Sequence, residues 1–186
     1  PIRFALSAAA GAGLFPVLAT IDDLVAKRWP YDDPDALAGM DKMLSSTSHT
    51  WLVVGIFVVV PLAHELFFRG ILFTQVRAAS TATVAVLATS LLFMTFPLEP
   101  RVMPTVLLLA LALGVLRERT GTVIAPIVAQ LAFGAVEGVP ILRGADPEAD
   151  VTYSLRWIAG GAAVAIVSLA IVALMGPRNG PDPERA

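Results

Sequence analysis

Three ionisable residues sit inside a run that is otherwise apolar from Trp51 to Phe73: the stretch reads Ala63-His64-Glu65-Leu66-Phe67-Phe68-Arg69-Gly70. A charge at the centre of a membrane helix costs about 2.5–3.5 kcal/mol on insertion scales, so such residues face a bundle interior or a wet cavity and mark a functional position by default. The rest of the chain supports a membrane reading. Of 186 residues 56% are hydrophobic and 15% charged, against about 25% charged in soluble domains, and the mean hydropathy is +0.76.

Six apolar segments can be drawn, each near the length a spanning helix needs: Phe4–Ile21, Thr50–Gln75, Thr81–Phe96, Met103–Leu116, Thr122–Val139 and Tyr153–Met175. Backbone groups in lipid must be bonded within their own segment, which makes these helices. The predicted fold is therefore an all-α, multi-pass transmembrane bundle of about six spans. A polar stretch with six aspartates, Asp22 to Ser48, reads as a loop, with room for a short surface helix. Arg117 to Gly121 reads as a tight turn, Leu142–Val151 as a second acidic loop, and the Pro-rich tail after Gly176 as disordered. These breaks divide the chain into a first helix plus loop (1–49), a central core (50–140), a loop with the last helix (141–176) and a tail (177–186). The run Ala10-Gly11-Ala12-Gly13 and the pair Gly160-Gly161 offer small faces for close helix packing.

Arg3, Arg77, Arg117, Arg119, Arg178 and Arg185 fall on one side of this topology, and Lys27, Arg28, Lys42, Arg101 and Arg143 on the other. The first set lies in short loops close to helix ends, which places that side in the cytoplasm. Pro1 opens the chain without an initiator Met, as in a fragment or processed form. The stretch after Arg3 is long enough to span and carries no clear signal-peptide cleavage site.

The chemistry available is narrow. Cysteine is absent, and His49 and His64 are the two imidazoles. That excludes disulfides, thiolate metal sites and a cysteine nucleophile. The net charge of −2 and the lack of a basic stripe exclude a nucleic-acid partner. His64 and Glu65 begin like a zinc-protease helix, but the second His of that motif would fall at Phe68. A metal would need Glu137, Gln130, Glu99 or His49 from other segments, so no metal and no cofactor are expected. Ser90 has no plausible base in its segment for a Ser-His-Asp site. Glu65 and Arg69 are four apart and share a helix face, where pairing lowers the cost of burying both. That spacing fits either a polar site or a structural tie to a neighbouring helix. Gln130, Gly134 and Glu137 share a face of the fifth segment. There Gln130 suits an interhelical hydrogen bond and Glu137 a position at the membrane edge.

With its surroundings, the stretch over Trp51–Val139 resembles the CAAX protease and bacteriocin-processing family, which includes prenyl-protein endopeptidases and abortive-infection proteins. Members show Glu-Glu-x-x-x-Arg, then Phe-x-x-x-His, then His-x-x-x-Asn, and a connecting phrase close to the one from Leu116 through Arg117-Glu118-Arg119-Thr120-Gly121 and Ala125-Pro126-Ile127 to Gln130. The resemblance implies an intramembrane endopeptidase site whose first Glu matches His64, second Glu Glu65, and Arg Arg69. Phe-x-x-x-His falls on Phe93 and Pro97, and His-x-x-x-Asn on Gln130 and Gly134. In the family the first Glu and first His act as base and water-orienting partner, and the last pair as an oxyanion site. All four positions are substituted here. Pro97 supplies neither a side-chain base nor an N–H, and Gly134 has no side chain. Gln130 can still donate, and His64 could accept a proton with Glu65 orienting it. Losing one oxyanion donor alone costs about 100–1000-fold in rate.

The expected protein is thus a catalytically impaired family member of the cell membrane. Glu65, His64 and Arg69 would form the altered catalytic set, and Gln130, Phe93, Phe68 and Glu137 would line a binding site. Its partners would be the lipid bilayer and a lipidated or transmembrane peptide. The alternatives are an active endopeptidase using His64 and Glu65, and a non-enzymatic structural subunit.

Overall fold

The computed structural model describes residues 1–29, 49–143 and 153–176. Among these there are six helices and no strand: α1 Ile2–Arg28, α2 Thr50–Ala79, α3 Ala82–Met94, α4 Met103–Thr120, α5 Ile124–Leu142 and α6 Leu155–Leu174. The fold is an all-α bundle of the multi-pass membrane class. Helices α1, α2, α5 and α6 are long and apolar enough to cross a membrane. Helix α3 is apolar but has 13 residues, and α4 ends in the charged run Arg117-Glu118-Arg119.

Several helix ends differ from those expected: α2 runs to Ala79 and α5 to Leu142, and α3 stops at Met94. The shifts in α1 and α4 have a physical reason. Helix α1 does not stop at Ile21 but runs on through Asp22, Asp23, Lys27 and Arg28. The Lys27 ammonium meets the Asp23 carboxylate at 2.6 Å, one turn apart on the same face, and Thr105 Oγ1 donates to Asp22 at 2.6 Å. Partnered charges extend a helix as readily as apolar residues do. Likewise, residues 117–120 are the last turn of α4 rather than a turn between helices. The chain reverses at Gly121, in the left-handed region at φ +70°, where its N–H bonds the Arg117 carbonyl at 3.0 Å. The rest of the expected first acidic loop, with its room for a short surface helix, and most of the expected second acidic loop fall at 30–48 and 144–152; these and the tail (177–186) lie outside the described residues.

Helix α1 packs along α5 and α6 and also touches α4. Its small residues explain how. A Cβ on Gly11 would collide with the Ala129 carbonyl of α5, and one on Gly13 would lie 2.6 Å from the Gly161 carbonyl of α6. Glycine lets these backbones approach closely. Gly161 is thus the contact residue of the 160–161 pair, whereas a Cβ on Gly160 would meet nothing. Leu18, Leu109, Leu113, Leu116, Ala129 and Val172 form the core between α1, α4, α5 and α6.

On the other side of α4, the C-terminal part of α2 packs against α3, and α3 against α4. Helix α2 is not uniform. It winds as a π-helix over Gly55–Val59 and again over Leu66–Leu72, the widened i→i+5 geometry that frequently marks functional sites.

The basic residues sort to the two ends largely as drawn from the sequence. Arg3 donates to the carbonyls of Arg119 (3.4 Å) and Met175 (3.1 Å), and Arg77 pairs with Glu118 at 3.4 Å. At the opposite end Arg101 pairs with Glu99, near the Asp22–Thr105 bond.

Candidate functional site

The second π stretch of α2 carries Arg69, and the turn before it carries Glu65. Both side chains are fully buried, at 0% exposure. Arg69 Nε lies 3.7 Å from Glu65 Oε2, close enough for an ion pair but too long for a hydrogen bond. The guanidinium is anchored elsewhere. Its Nη2 donates to the Ala110 carbonyl of α4 at 2.7 Å, and its Cζ stands 4.8 Å from the centroid of the Phe93 ring of α3, a cation–π geometry. Arg69 therefore ties α2 to both α3 and α4.

Phe68 and Phe93 are each 5% exposed, and their rings meet edge to face at 5.0 Å. With Ala110 they form a small core of their own, flanked by Leu72 and Val106. His64 is half-buried against this group, with its ring 5.4 Å from that of Phe93 and 4.5 Å from that of Phe96. Among the described residues no hydrogen bond links His64 to Glu65. Adjacent residues point about 100° apart around a helix, so the aromatic cluster, and not the carboxylate, sets the imidazole orientation.

The widened turn creates a further contact. Arg117 of α4 donates through Nε to the Arg69 carbonyl at 2.9 Å, and its Cζ lies 5.4 Å from the Phe73 ring. The α4 end thus binds the backbone of α2 at the residue whose side chain reaches back to α4.

Gln130 and Gly134 come from α5, which runs antiparallel to α2. A Cβ on Gly134 would lie 3.0 Å from the Phe57 ring, and one on Gly138 3.2 Å from Val53 Cγ1. At the other end Val123 approaches Gly70. This register sets Gln130 opposite the turn around Pro61, one turn from Glu65. Gln130 is buried, and its Oε1 has no hydrogen-bond partner. The space at Gly134 faces the Phe57 ring.

Two expected positions stand apart. Pro97 is exposed and lies beyond the end of α3. Glu137 is exposed, beside Gly138, which packs on Val53. Val53 precedes Glu65 by twelve helical residues, about 18 Å of rise. The side chain of His49 lies outside the described residues, and Glu99 is occupied by Arg101.

His64, Glu65, Phe68, Arg69 and Phe93 are thus brought together, with Gln130 one turn away and Glu137 at the far end. The sequence reading missed Arg117, Phe96 and the Ala110 carbonyl. Arg117 had a signal, as a basic residue in the phrase that matches the family. The Ala110 carbonyl had none.

The site is polar and incompletely satisfied. Glu65 Oε1 and Oε2, Arg69 Nε and Nη1, Ser90 Oγ and Gln130 Oε1 are buried without a hydrogen-bond partner. Buried polar atoms are usually paired, so each such atom calls for an explanation.

A family model for type II CAAX prenyl endopeptidases, described as Rce1-like, matches residues 46–136. That segment is Rce1-like. No curated protein and no solved structure matches the chain. The Rce1-like segment runs from the start of α2 into α5, so it holds every group of the buried cluster. Helices α1 and α6 lie wholly outside it. The protein is a CAAX-protease-like membrane protein.

Proposed function

We propose that this protein binds a membrane-embedded or lipidated peptide in the cell membrane and does not efficiently cut it. The burial of Glu65 carries this reading. A general base must reach the water it activates; the base position falls on His64, and Glu65, the carboxylate left to orient it, is sealed at 0% exposure beside Arg69 and makes no hydrogen bond to His64. His64 is accessible but held edge-on among phenyl rings. The oxyanion position is reduced to the Gln130 amide, because Gly134 faces Phe57. A second reading, a structural subunit, is favoured by the Arg69–Ala110 bond, which makes the charge a tie between helices.

The test is an endopeptidase assay on the lipid-reconstituted protein with prenylated and unprenylated membrane-anchored peptides, and with Glu65→Gln as control. Saturable binding without cleavage is the expected result. Cleavage that disappears in Glu65→Gln overturns it in favour of an active enzyme. Absence of both binding and cleavage supports the structural subunit.

A further inference from the structure

A second feature lies outside the buried cluster. A groove of about 810 Å³ runs between α1, α5 and α6. Its floor is made of small residues, among them Ala12, Gly13, Pro16 and Gly160, and one end carries Tyr153, Arg156 and Trp157. It exists for a packing reason. The Gly13–Gly161 approach draws α1 and α6 together, and Gly160 beside it carries no side chain to fill the space.

We propose that this groove holds one acyl chain of an anionic phospholipid, with the lipid phosphate at Arg156. The length fits one leaflet. The α6 wall runs from Tyr153 to Val164, about 16 Å at 1.5 Å per residue, or half of the roughly 30 Å hydrocarbon core. The mouth fits a headgroup. Tyr and Trp favour the membrane–water boundary, which is where Tyr153 and Trp157 place that end of the groove. Arg156 is exposed and has no ion pair or hydrogen bond among the described residues. It stands in the first turn of α6, where the helix dipole disfavours a cation, so its own helix gives it no stabilisation. A phosphate would. Glu137, exposed on α5 between the lining residues Val136 and Pro140, limits the positive field at the mouth, which suits a single phosphate better than a polyanion.

The test uses Trp157 as the reporter, with Trp29→Phe and Trp51→Phe leaving it the sole tryptophan. The full chain is placed in phosphatidylcholine nanodiscs, into which phosphatidylglycerol or phosphatidylcholine brominated on the acyl chain is titrated. Brominated phosphatidylglycerol is expected to quench Trp157 at about fivefold lower mole fraction, the preference that one basic residue near a membrane surface confers. Arg156→Gln is expected to make the two lipids equal. Gly160→Leu, which extends into open space and spares the helix contacts, is expected to remove the excess quenching. Ala163→Leu, exposed on the same helix outside the groove, is expected to keep it, and circular dichroism checks that each variant is folded. Equal quenching by both lipids in the parent protein overturns the proposal, as does excess quenching that survives Gly160→Leu. Displacement of the brominated phosphatidylglycerol by an equal mole fraction of farnesylated peptide also overturns it, and assigns the groove to a peptide's lipid tail.

Discussion

The sector of α1, α5 and α6 and the sector of α2, α3 and α4 bury their residues by opposite means. In the first, Gly11, Gly13 and Gly161 bring backbones into contact, and the stabilisation comes from many close van der Waals approaches. In the second, Glu65 and Arg69 are buried with four of their polar atoms lacking a hydrogen bond, and packing rests on phenyl rings, one ion pair and single hydrogen bonds to carbonyls. The Rce1-like match takes in the whole second sector and most of α5, but none of α1 and none of α6. Close packing is therefore concentrated in the flanking helices, and electrostatic cost in the segment that carries the family likeness. A frame that is inexpensive to build can hold a region that is not.

The sharpest way to break the contrast is Arg69→Met. It leaves Glu65 buried without a cation and is expected to destabilise the protein by about 3–5 kcal/mol, measured as reversible unfolding in detergent–lipid mixtures. The double variant Arg69→Met with Glu65→Leu is expected to recover most of that loss, since replacing a whole buried pair with apolar residues is often neutral or stabilising. If the double variant is as unstable as the single one, the polar sector is not held against an electrostatic cost. In the other sector, Gly11→Val drives a branched side chain into the Ala129 carbonyl and is expected to cost about 1–3 kcal/mol in the same assay. Arg117→Gln removes a charged donor from the Arg69 carbonyl, at about 1.5 kcal/mol. Its signature is faster amide hydrogen exchange across Leu66–Leu72 with α6 unchanged. The smallest effect sharpens the glycine argument. Gly160→Ala is expected to change stability by less than about 0.5 kcal/mol, while Gly161→Ala, one residue on and pressed against Gly13 and Pro16, is clearly destabilising.

The two sectors were unequally legible in the sequence. Small residues announce close packing by their size alone, and Ala10, Gly11, Gly13 and Gly161 meet their neighbours as that implies, whereas Ala12 and Gly160 line the groove. Glu65 and Arg69 were legible through their four-residue spacing, and Phe68 and Phe93 through the resemblance that brought their helices together. Arg117 escaped because its partner is the carbonyl of a widened turn, and no side-chain pattern signals a π-helix. The extension of α1 past Ile21 escaped because Asp22 looks like loop until Thr105, far along the chain, supplies its partner. Glu137 shares a face with Gln130, but the length of α5 carries it to the opposite end of the site.

The wide turns of α2 also bear on how this chain can change in length. A turn closed i→i+5 holds one residue more than an α turn. A single-codon deletion between Leu66 and Leu72 can then be absorbed by relaxation to the ordinary helix, with the flanking faces kept in register. Helix α6 has no such slack, because losing one residue before Gly161 would rotate it by about 100° away from Gly13. The segment that carries the buried charges is thus the one with room to shorten, while the plain apolar helix beside α1 is fixed in its count.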